Sequence, residues 1–490
     1  MILSELISRL EPIGIAGSDA VEIRSVQSDS RRVKEGALFV AIPGFETDGA
    51  LFIDQAIERG AIAIVTEREI EEREGVTFVR VADARRALAL VASTFYGRPA
   101  TKLDLIGVTG TSGKTTTTKM IESILDQTDD PVGLIGTIEY RAGETREVAD
   151  RTTPDAAVLQ EWFAKMVEAG VRRGVMEVSS HALALHRTAD VEFAAAVFTN
   201  LSRDHFDFHD DFDDYFEAKK ILFDQIDRSK KRAVVNRDDE WGLKLIDELG
   251  EAVVTFGMEE ADIRPADDFR TDIEGLHGKV ETPWGNVSVE SSLLGTPNLY
   301  NWLGAIGASL VVGVSIPEIE AGIRALRTVE GRFEKVGDSI APAVIVDYAH
   351  KPDALEKLLH AVRHMSPNRE IVLVFGCGGN RDEGKRPLMG AVAARLGDRT
   401  ILTSDNPRRE EPEAILDQIE EGYREVRSEG YERIVSRRQA IRKAILGSGE
   451  NDVVIIAGKG HETYQVIGDS IEHFDDREEA MAAIREKKDS

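Results

Sequence analysis

Cysteine is almost absent: Cys377 is the only one in the chain. No intramolecular disulfide can form, which fits a reducing compartment. No sequence pattern around Cys377 supports a nucleophile, so it reads as a structural thiol. Long apolar runs are missing too. No stretch of roughly 18 uncharged apolar residues occurs, and no membrane-inserted helix is expected. The opening MILSELISRLEPIG lacks the basic start and apolar core of a secretory signal and carries Glu5 instead. A cytoplasmic protein is expected. Positive charge is scarce, with 61 Lys and Arg against 88 Asp and Glu, a formal net charge of −27. That balance argues against nucleic acid and acidic lipid as partners.

What is present describes a globular protein: 490 residues, 42% hydrophobic and 30% charged. Such a length exceeds one ordinary core, so about two to four domains are expected. Three blocks separate by pattern. Residues 1–100 hold short strands and helices and close near Gly97–Ala100. Residues 101–332 alternate apolar runs (Leu103–Val108, Gly174–Val178, Ala194–Thr199, Ala233–Asn236) with helical segments. A polar, β-like section over Ile263–Val289 and a helix over Leu299–Val312 follow. Residues 333–490 alternate the runs Ala343–Asp347, Ile371–Phe375, Thr400–Thr403 and Val453–Ala457 with amphipathic helices such as Asp353–Met365 and Pro412–Val426. Alternation of this kind predicts an α/β fold with parallel sheets covered by helices.

The segment Leu103–Thr117, LDLIGVTGTSGKTTT, is strand, glycine turn, Lys-Thr and then a helix with Met120, Ile121, Ile124 and Leu125 on one face. This is how a polyphosphate is held. Backbone N–H groups of the loop and helix start point at the anion, Lys114 adds a mobile positive charge, and a Thr hydroxyl can ligate Mg²⁺. The strict pattern wants Gly where Val108 stands. Nucleotide binding is expected over Gly110, Thr111, Ser112, Gly113, Lys114, Thr115 and Thr116. Two further strand ends carry Glu177-Val-Ser-Ser-His181 and Thr199-Asn-Leu-Ser-Arg-Asp-His205. One carboxylate beside a P-loop Thr suits a Mg–ATP site, and Glu177 fits that role. On spacing alone His205 is as well read as a hydrogen-bonded core residue as a ligand; the same holds for His181, His209 and Asp204. Lys219 and Lys220 fall on a helix over Asp213–Phe223, where a solvated face is the plainer reading.

In the last block the apolar runs end in Asp347-Tyr-Ala-His350, Gly376-Cys-Gly-Gly379, Asp405-Asn-Pro-Arg408 and Gly458-Lys-Gly-His-Glu462. Ligands of open α/β sheets bind past the C-terminal ends of strands. Glycine lets backbone approach a ligand, and Pro407 stiffens its loop. One such turn would be unremarked; four in succession, each with charged side chains, make a binding face.

Together GTSGKTT, TTPDA, EVSSHAL, TNLSRDHFDFH, Ala218-Lys219, Asn298 with Asn301, GRFE, DYAH, GCGGNRDEGKRP, DNPR and AGKGHE closely resemble the Mur ligases, over essentially the whole chain and in order. The stretch Ser28–Gly44 is similar to the uridine-diphosphate segment of that family. The resemblance implies a small N-terminal α/β domain, a central P-loop ATPase-like parallel-sheet domain and a C-terminal Rossmann-like domain. It implies ATP-dependent ligation of meso-diaminopimelate to a UDP-N-acetylmuramoyl dipeptide through an acyl phosphate, in peptidoglycan precursor synthesis, with Mg²⁺ and by a monomer. Residue by residue it implies Lys114, Lys219, His205 and Glu177 as catalytic. Thr115, Glu177, His205 and a carbamylated Lys219 would hold metal, which replaces the solvated-face reading of Lys219. Asn301, Arg332 and Asp347 would face ATP. Ser28, Ser30, Phe45, Glu46, Thr47, Thr152, Thr153, Ser179 and Arg187 would contact the UDP-sugar-peptide. Arg381, Asp405, Asn406, Pro407, Arg408, Gly458 and Glu462 would form the amino-acid pocket, Arg408 for a carboxylate and Glu462 for an ammonium.

Three positions depart from the family pattern: Lys351 follows DYAH where Thr is usual, Ser436 precedes Arg437 where Asp is common, and Leu185 replaces a polar residue. Alternatives stay open. One is the L-lysine-adding ligase of the same type, with Arg408 merely paired to Glu410 or Glu411. Another is a nucleotide-gated binding protein without catalysis.

Overall fold

Apolar runs that end in a glycine or polar turn become parallel strands. The computed structural model describes residues 1–44, 47–69, 73–272, 274–337 and 342–489. The chain divides into two compact units: Met1–Arg264 with Glu281–Gly285 and Asn301–Gly322, and Pro265–Val280 with Asn286–Tyr300 and Ile323–Ser490.

The first unit contains two sheets. A five-stranded sheet takes the order Gly14–Ala16, Thr77–Arg80, Ala61–Thr66, Ala37–Val40, Ser25–Gln27, parallel except at the first pair. An eight-stranded sheet takes the order Val253–Phe256, Ala233–Asn236, Ala195–Phe198, Asp104–Thr109, Arg173–Glu177, Val132–Ile135, Glu139–Ala142, Thr145–Val148. Its first six strands run parallel and its last two antiparallel. The strand Asp104–Thr109 is therefore flanked by Arg173–Glu177 and Ala195–Phe198, with Val108 opposite Glu177 and Thr109 opposite Phe198. Three motif-bearing strand ends thus come side by side. Gly107 within that strand leaves room for a packed helix: a Cβ there would lie 2.8 Å from Leu222 and 3.0 Å from Phe193. The helix in question, Phe212–Asp224, carries Lys219. Helix Lys114–Leu125 starts after Gly113 at φ 87° and buries Met120, Ile121, Ile124 and Leu125, as the sequence predicts.

The second unit holds a six-stranded sheet in the order Glu334–Val336, Ala343–Asp347, Val453–Ala457, Ile371–Phe375, Arg399–Leu402, Tyr431–Arg433, parallel except at the first pair. Residues alternate strictly between its faces. Ile345, Leu373 and Ile455 enter one core; Val346, Val374 and Ile456 enter the other. Burial on both faces is why these strands read as unbroken apolar runs. Four adjacent strands end at Asp347, Ala457, Phe375 and Leu402, so the four polar turns emerge along one edge.

The sequence pattern misses the weaker elements. Glu139–Ala142 and Thr145–Val148 form a polar edge hairpin, and Thr145–Val148 is exposed throughout. The hairpin Tyr464–Ile467 with Ser470–His473 is mostly polar and short. The β-like section resolves into Arg270–Asp272, Gly275–Glu281 and Val287–Ser291, and the following helix runs Gly295–Val311, starting four residues early. Cys377 is buried against Met389, and burial pushes its thiol up to about 12, so it stays protonated.

Candidate active site

The P-loop is braced by its neighbours. Thr111 N donates to the Asn200 carbonyl at 2.8 Å, Ser112 N to Asn200 Oδ1 at 3.0 Å, and the Thr199 hydroxyl to the Ser112 carbonyl at 2.6 Å. Two glycines are dictated by this packing. A Cβ on Gly110 (φ 144°) would lie 1.9 Å from Thr199 Oγ1, and one on Gly113 would lie 2.5 Å from Asn301 Oδ1. Asn301 also accepts from Thr117 Oγ1 at 3.3 Å, so it reaches the loop. Lys114 Nζ donates to the carbonyls of Gly110 and Thr111, at 2.8 and 3.0 Å. Thr116 is buried in the first helical turn.

Glu177, 1% exposed, lies at the centre. Its Oε2 accepts from Thr115 Oγ1 at 2.9 Å and Thr137 Oγ1 at 3.1 Å, and its Oε1 accepts from Thr137 N at 2.7 Å. Thr137 Oγ1 lies 3.0 Å from Thr152 Oγ1, and Thr153 Oγ1 donates to the Glu177 carbonyl at 2.8 Å. Ser179 N donates to Thr153 Oγ1, and Arg187 Nη1 donates to the Thr153 carbonyl at 2.7 Å. Burial, then the nearby Arg151 and Arg85, lower the Arg187 pKa, so an anion there would be welcome. Thr137, Arg85 and Arg151 were not singled out in the sequence. Thr137 sits just past the strand Val132–Ile135, the one signal that could have found it.

On the opposite flank Lys219 Nζ is buried and donates to the Gly110 carbonyl at 2.9 Å. Burial, then the charge of Lys114, push its pKa well below the usual range. The Tyr215 ring lies beneath it, 4.4 Å from Nζ. His205 (φ 55°) approaches the same ring, with centroids 6.2 Å apart, and its Nε2 lies 3.3 Å from Asp204. His209 is fully engaged inside the fold, Nδ1 with Asp214 and Nε2 with Ser180. Lys220 pairs with Glu217 and Glu248, the surface role read for it.

Ser30 Oγ donates to Gln55 Oε1 at 2.6 Å in the N-terminal sheet. Among the described residues no hydrogen bond joins Ser28 or Ser30 to the Thr152–Arg187 group. Thr47 follows Phe45 and Glu46, which lie outside the described residues.

The second unit gathers the last set. Asn406 Nδ2 donates to Glu462 Oε2 at 2.9 Å, and the buried Lys459 Nζ donates to Glu462 Oε2 and Asn406 Oδ1, each at 3.2 Å. Gln465 and the Val466 N–H hold Asp405 and Asn406 from the missed hairpin. Arg408 (φ 53°) is pinned by backbone bonds to Val466 and Gly468 and donates from Nη1 to the Gly379 carbonyl. It does not pair with Glu410, which Arg386 holds through both terminal nitrogens. Among the described residues Arg408 has no carboxylate partner. Pro407 and Gly458 are buried, and Arg381 is exposed. Asp347 accepts from the N–H groups of Phe333 and Ala349, and burial raises its pKa despite Arg332 nearby.

Family models match three successive stretches: the Mur ligase family catalytic domain at 22–96, the Mur ligase middle domain at 108–309, and the Mur ligase glutamate ligase domain at 331–460. The chain belongs to the Mur ligase family. A UDP-N-acetylmuramoyl-L-alanyl-D-glutamate–2,6-diaminopimelate ligase of Gloeobacter violaceus is 47% identical over 470 residues, 96% of this chain and 95% of that one. One of the same name from Caldanaerobacter subterraneus subsp. tengcongensis is 44% identical over 474 residues, 97% of each chain. A solved structure carrying that enzyme name matches with a TM-score of 0.72 and 31% identity, over 100% of this chain and 99% of the other.

Two departures of this Mur ligase have a structural reading. Ser436 Oγ caps helix Arg437–Leu446 by accepting from Gln439 N, work that Ser and Asp do equally well. Lys351 stands at the N-cap of helix Pro352–Met365, which has no side-chain cap.

Proposed function

We propose that this Mur ligase joins meso-diaminopimelate to UDP-N-acetylmuramoyl-L-alanyl-D-glutamate at the expense of ATP. The observation that carries the reading is Glu177: its carboxylate touches the P-loop through Thr115, while its carbonyl holds Thr153 of the Thr152–Arg187 group. A phosphate donor on one side and a substrate acid on the other would meet there. A carboxylate oxygen attacks the γ-phosphorus, the bond to the ADP oxygen breaks, and an acyl phosphate forms. The neutral amine of the diamino acid then attacks the acyl carbon, phosphate leaves, and the nitrogen sheds a proton. The protein's part is positioning and neutralising anions that must approach each other. Lys114 would carry phosphate charge, Arg187 would hold the substrate acid, and Asn301 would orient the nucleotide.

The donor set fits Mg²⁺. Thr115 and Glu177 offer hard oxygens, and among the described residues no cluster of three or more His, Cys, Asp or Glu could cage an ion without phosphates and water. Thr115 and Glu177 would hold one ion, and His205 with carbamylated Lys219 a second; bound there, Mg²⁺ would neutralise phosphate charge. Nucleotide substrates of this kind support a cytoplasmic reaction, and we read the protein as a monomer with domains at 1–100, 101–332 and 333–490. Among the described residues no helix is long and apolar enough to cross a membrane.

Oxygen-18 in the D-glutamyl carboxylate tests the route. One labelled oxygen should appear in inorganic phosphate for each amide formed; unlabelled phosphate would overturn the acyl-phosphate step.

A further inference from the structure

Arg437 and Asp476 form an ion pair in which both side chains are fully shielded from solvent. Arg437 Nε donates to Asp476 Oδ1 at 2.7 Å and Nη2 to Oδ2 at 2.6 Å, a two-point clasp between the first residue of helix Arg437–Leu446 and the first residue of the C-terminal helix Asp476–Asp489. The remaining valences of the guanidinium go elsewhere. Nη2 also donates to the Ala457 carbonyl at 3.0 Å, and Nη1 to the Ser404 carbonyl at 3.4 Å. Those carbonyls belong to the residues immediately before Gly458 and Asp405, where two strands open into the proposed amino-acid pocket.

The contact between the loops is tight. A Cβ on Gly458 (φ 122°) would lie 2.7 Å from Asp405 Oδ2 and 3.9 Å from Arg437 Nη2. Glu462, on the Gly458 loop, and Asp405 both add to the negative field around the guanidinium, beside Asp476. A buried ion pair is seldom the most stable solution, since well-packed apolar residues of similar volume usually do as well. A fixed fork that grips two loops at once is what apolar residues cannot supply.

We propose that the Arg437–Asp476 pair is a positioning device for the amino-acid pocket: it sets the spacing of the Asp405 and Gly458 loops and thereby the affinity for the diamino acid. Neither residue touches the substrate. The inference rests on the reading of this pocket given above, so wild-type turnover of meso-diaminopimelate is measured first; its absence would overturn that reading, not this one.

The variants are Arg437→Lys, Asp476→Asn and the charge-free double variant Arg437→Met with Asp476→Leu. Each is compared with wild type for KM toward meso-diaminopimelate, ATP and UDP-dipeptide, and for melting temperature. Loosening the loops should raise the diamino-acid KM about tenfold or more, with the KM for ATP within twofold. The double variant should show the same rise while melting at or above wild type, which a purely structural pair would not do. Folded variants with an unchanged diamino-acid KM would overturn the proposal. So would three KM values rising together, or failure of every variant to fold, since the pair would then serve the fold and not the pocket.

Discussion

Lys219 and Lys114 converge on one oxygen: their Nζ atoms lie 2.9 and 2.8 Å from the Gly110 carbonyl. Two cations cannot comfortably share that site, and burial together with the charge of Lys114 pushes the Lys219 pKa well below its usual range. Its neutral amine can attack CO₂, forming an N–C bond and releasing a proton to give a carbamate, a carboxylate-like metal ligand. Carbamylation needs the neutral amine, so it should fade as pH falls through the lowered pKa. Lys219→Ala should be nearly inactive and partly rescued by short carboxylates, whereas Lys219→Arg should stay inactive with or without them. A carbamate resonance from ¹³C-bicarbonate, lost in both variants, is the direct check; an unmodified amine in active enzyme would refute the assignment.

Lys114→Ala should leave the fold intact, because Lys114 Nζ donates to carbonyls of its own loop. Loss of a charge that acts mainly in the transition state should lower turnover on the order of 10²-fold or more. Steady-state kinetics beside circular dichroism separates the two effects. Near-normal turnover would sink the phosphate role.

Arg408 should decide which diamino acid is used. With Glu410 held by Arg386, its guanidinium has no carboxylate partner among the described residues, which suits the distal carboxylate that meso-diaminopimelate has and L-lysine lacks. A site built around such a group can reject its absence by roughly 10⁴-fold. Arg408→Ala should erase most of that preference, and Arg408→Lys should restore little, since an ammonium cannot pair bidentately. Competition between the two amino acids is the measurement, and full preference retained by the alanine variant would contradict the role.

Strong local patterns made the fold legible where they occur. The both-face-buried strands and the P-loop announce themselves because apolar runs meet glycine turns, and Asn301 was found only through the family resemblance. Weak elements stayed hidden for a physical reason. The hairpin Tyr464–Ile467 with Ser470–His473 has little to bury, yet its backbone pins Arg408 and its Gln465 holds Asp405. Lys219 misled by periodicity, since a helix face that packs over Gly107 looks solvated until the neighbouring strand is in place. Arg437 carries no local signal: its partner lies 39 positions away, and no spacing points there.

Stability should fall in mild acid through His350. Burial, against a hydrogen bond to the Tyr348 carbonyl, holds its pKa near about 4, so it is neutral in the fold. The unfolded chain binds that proton near pH 6.5, so stability is full above about 6.5 and is lost as pH falls toward about 4, by at most about 3 kcal/mol. Denaturant midpoints for wild type and His350→Asn should converge across that window, the variant having the flatter slope. Parallel pH profiles would contradict the assignment.

In the proposed ligation the release of inorganic phosphate waits for both the dipeptide and the amino acid. Phosphate release is measured with purified protein, Mg–ATP and UDP-N-acetylmuramoyl-L-alanyl-D-glutamate, against a panel of diamino acids. One phosphate per amide product is expected, with release only when dipeptide and amino acid are both present and a clear preference for meso-diaminopimelate. ATP hydrolysis indifferent to either acceptor, or equal catalytic efficiency with L-lysine, would contradict that ligation.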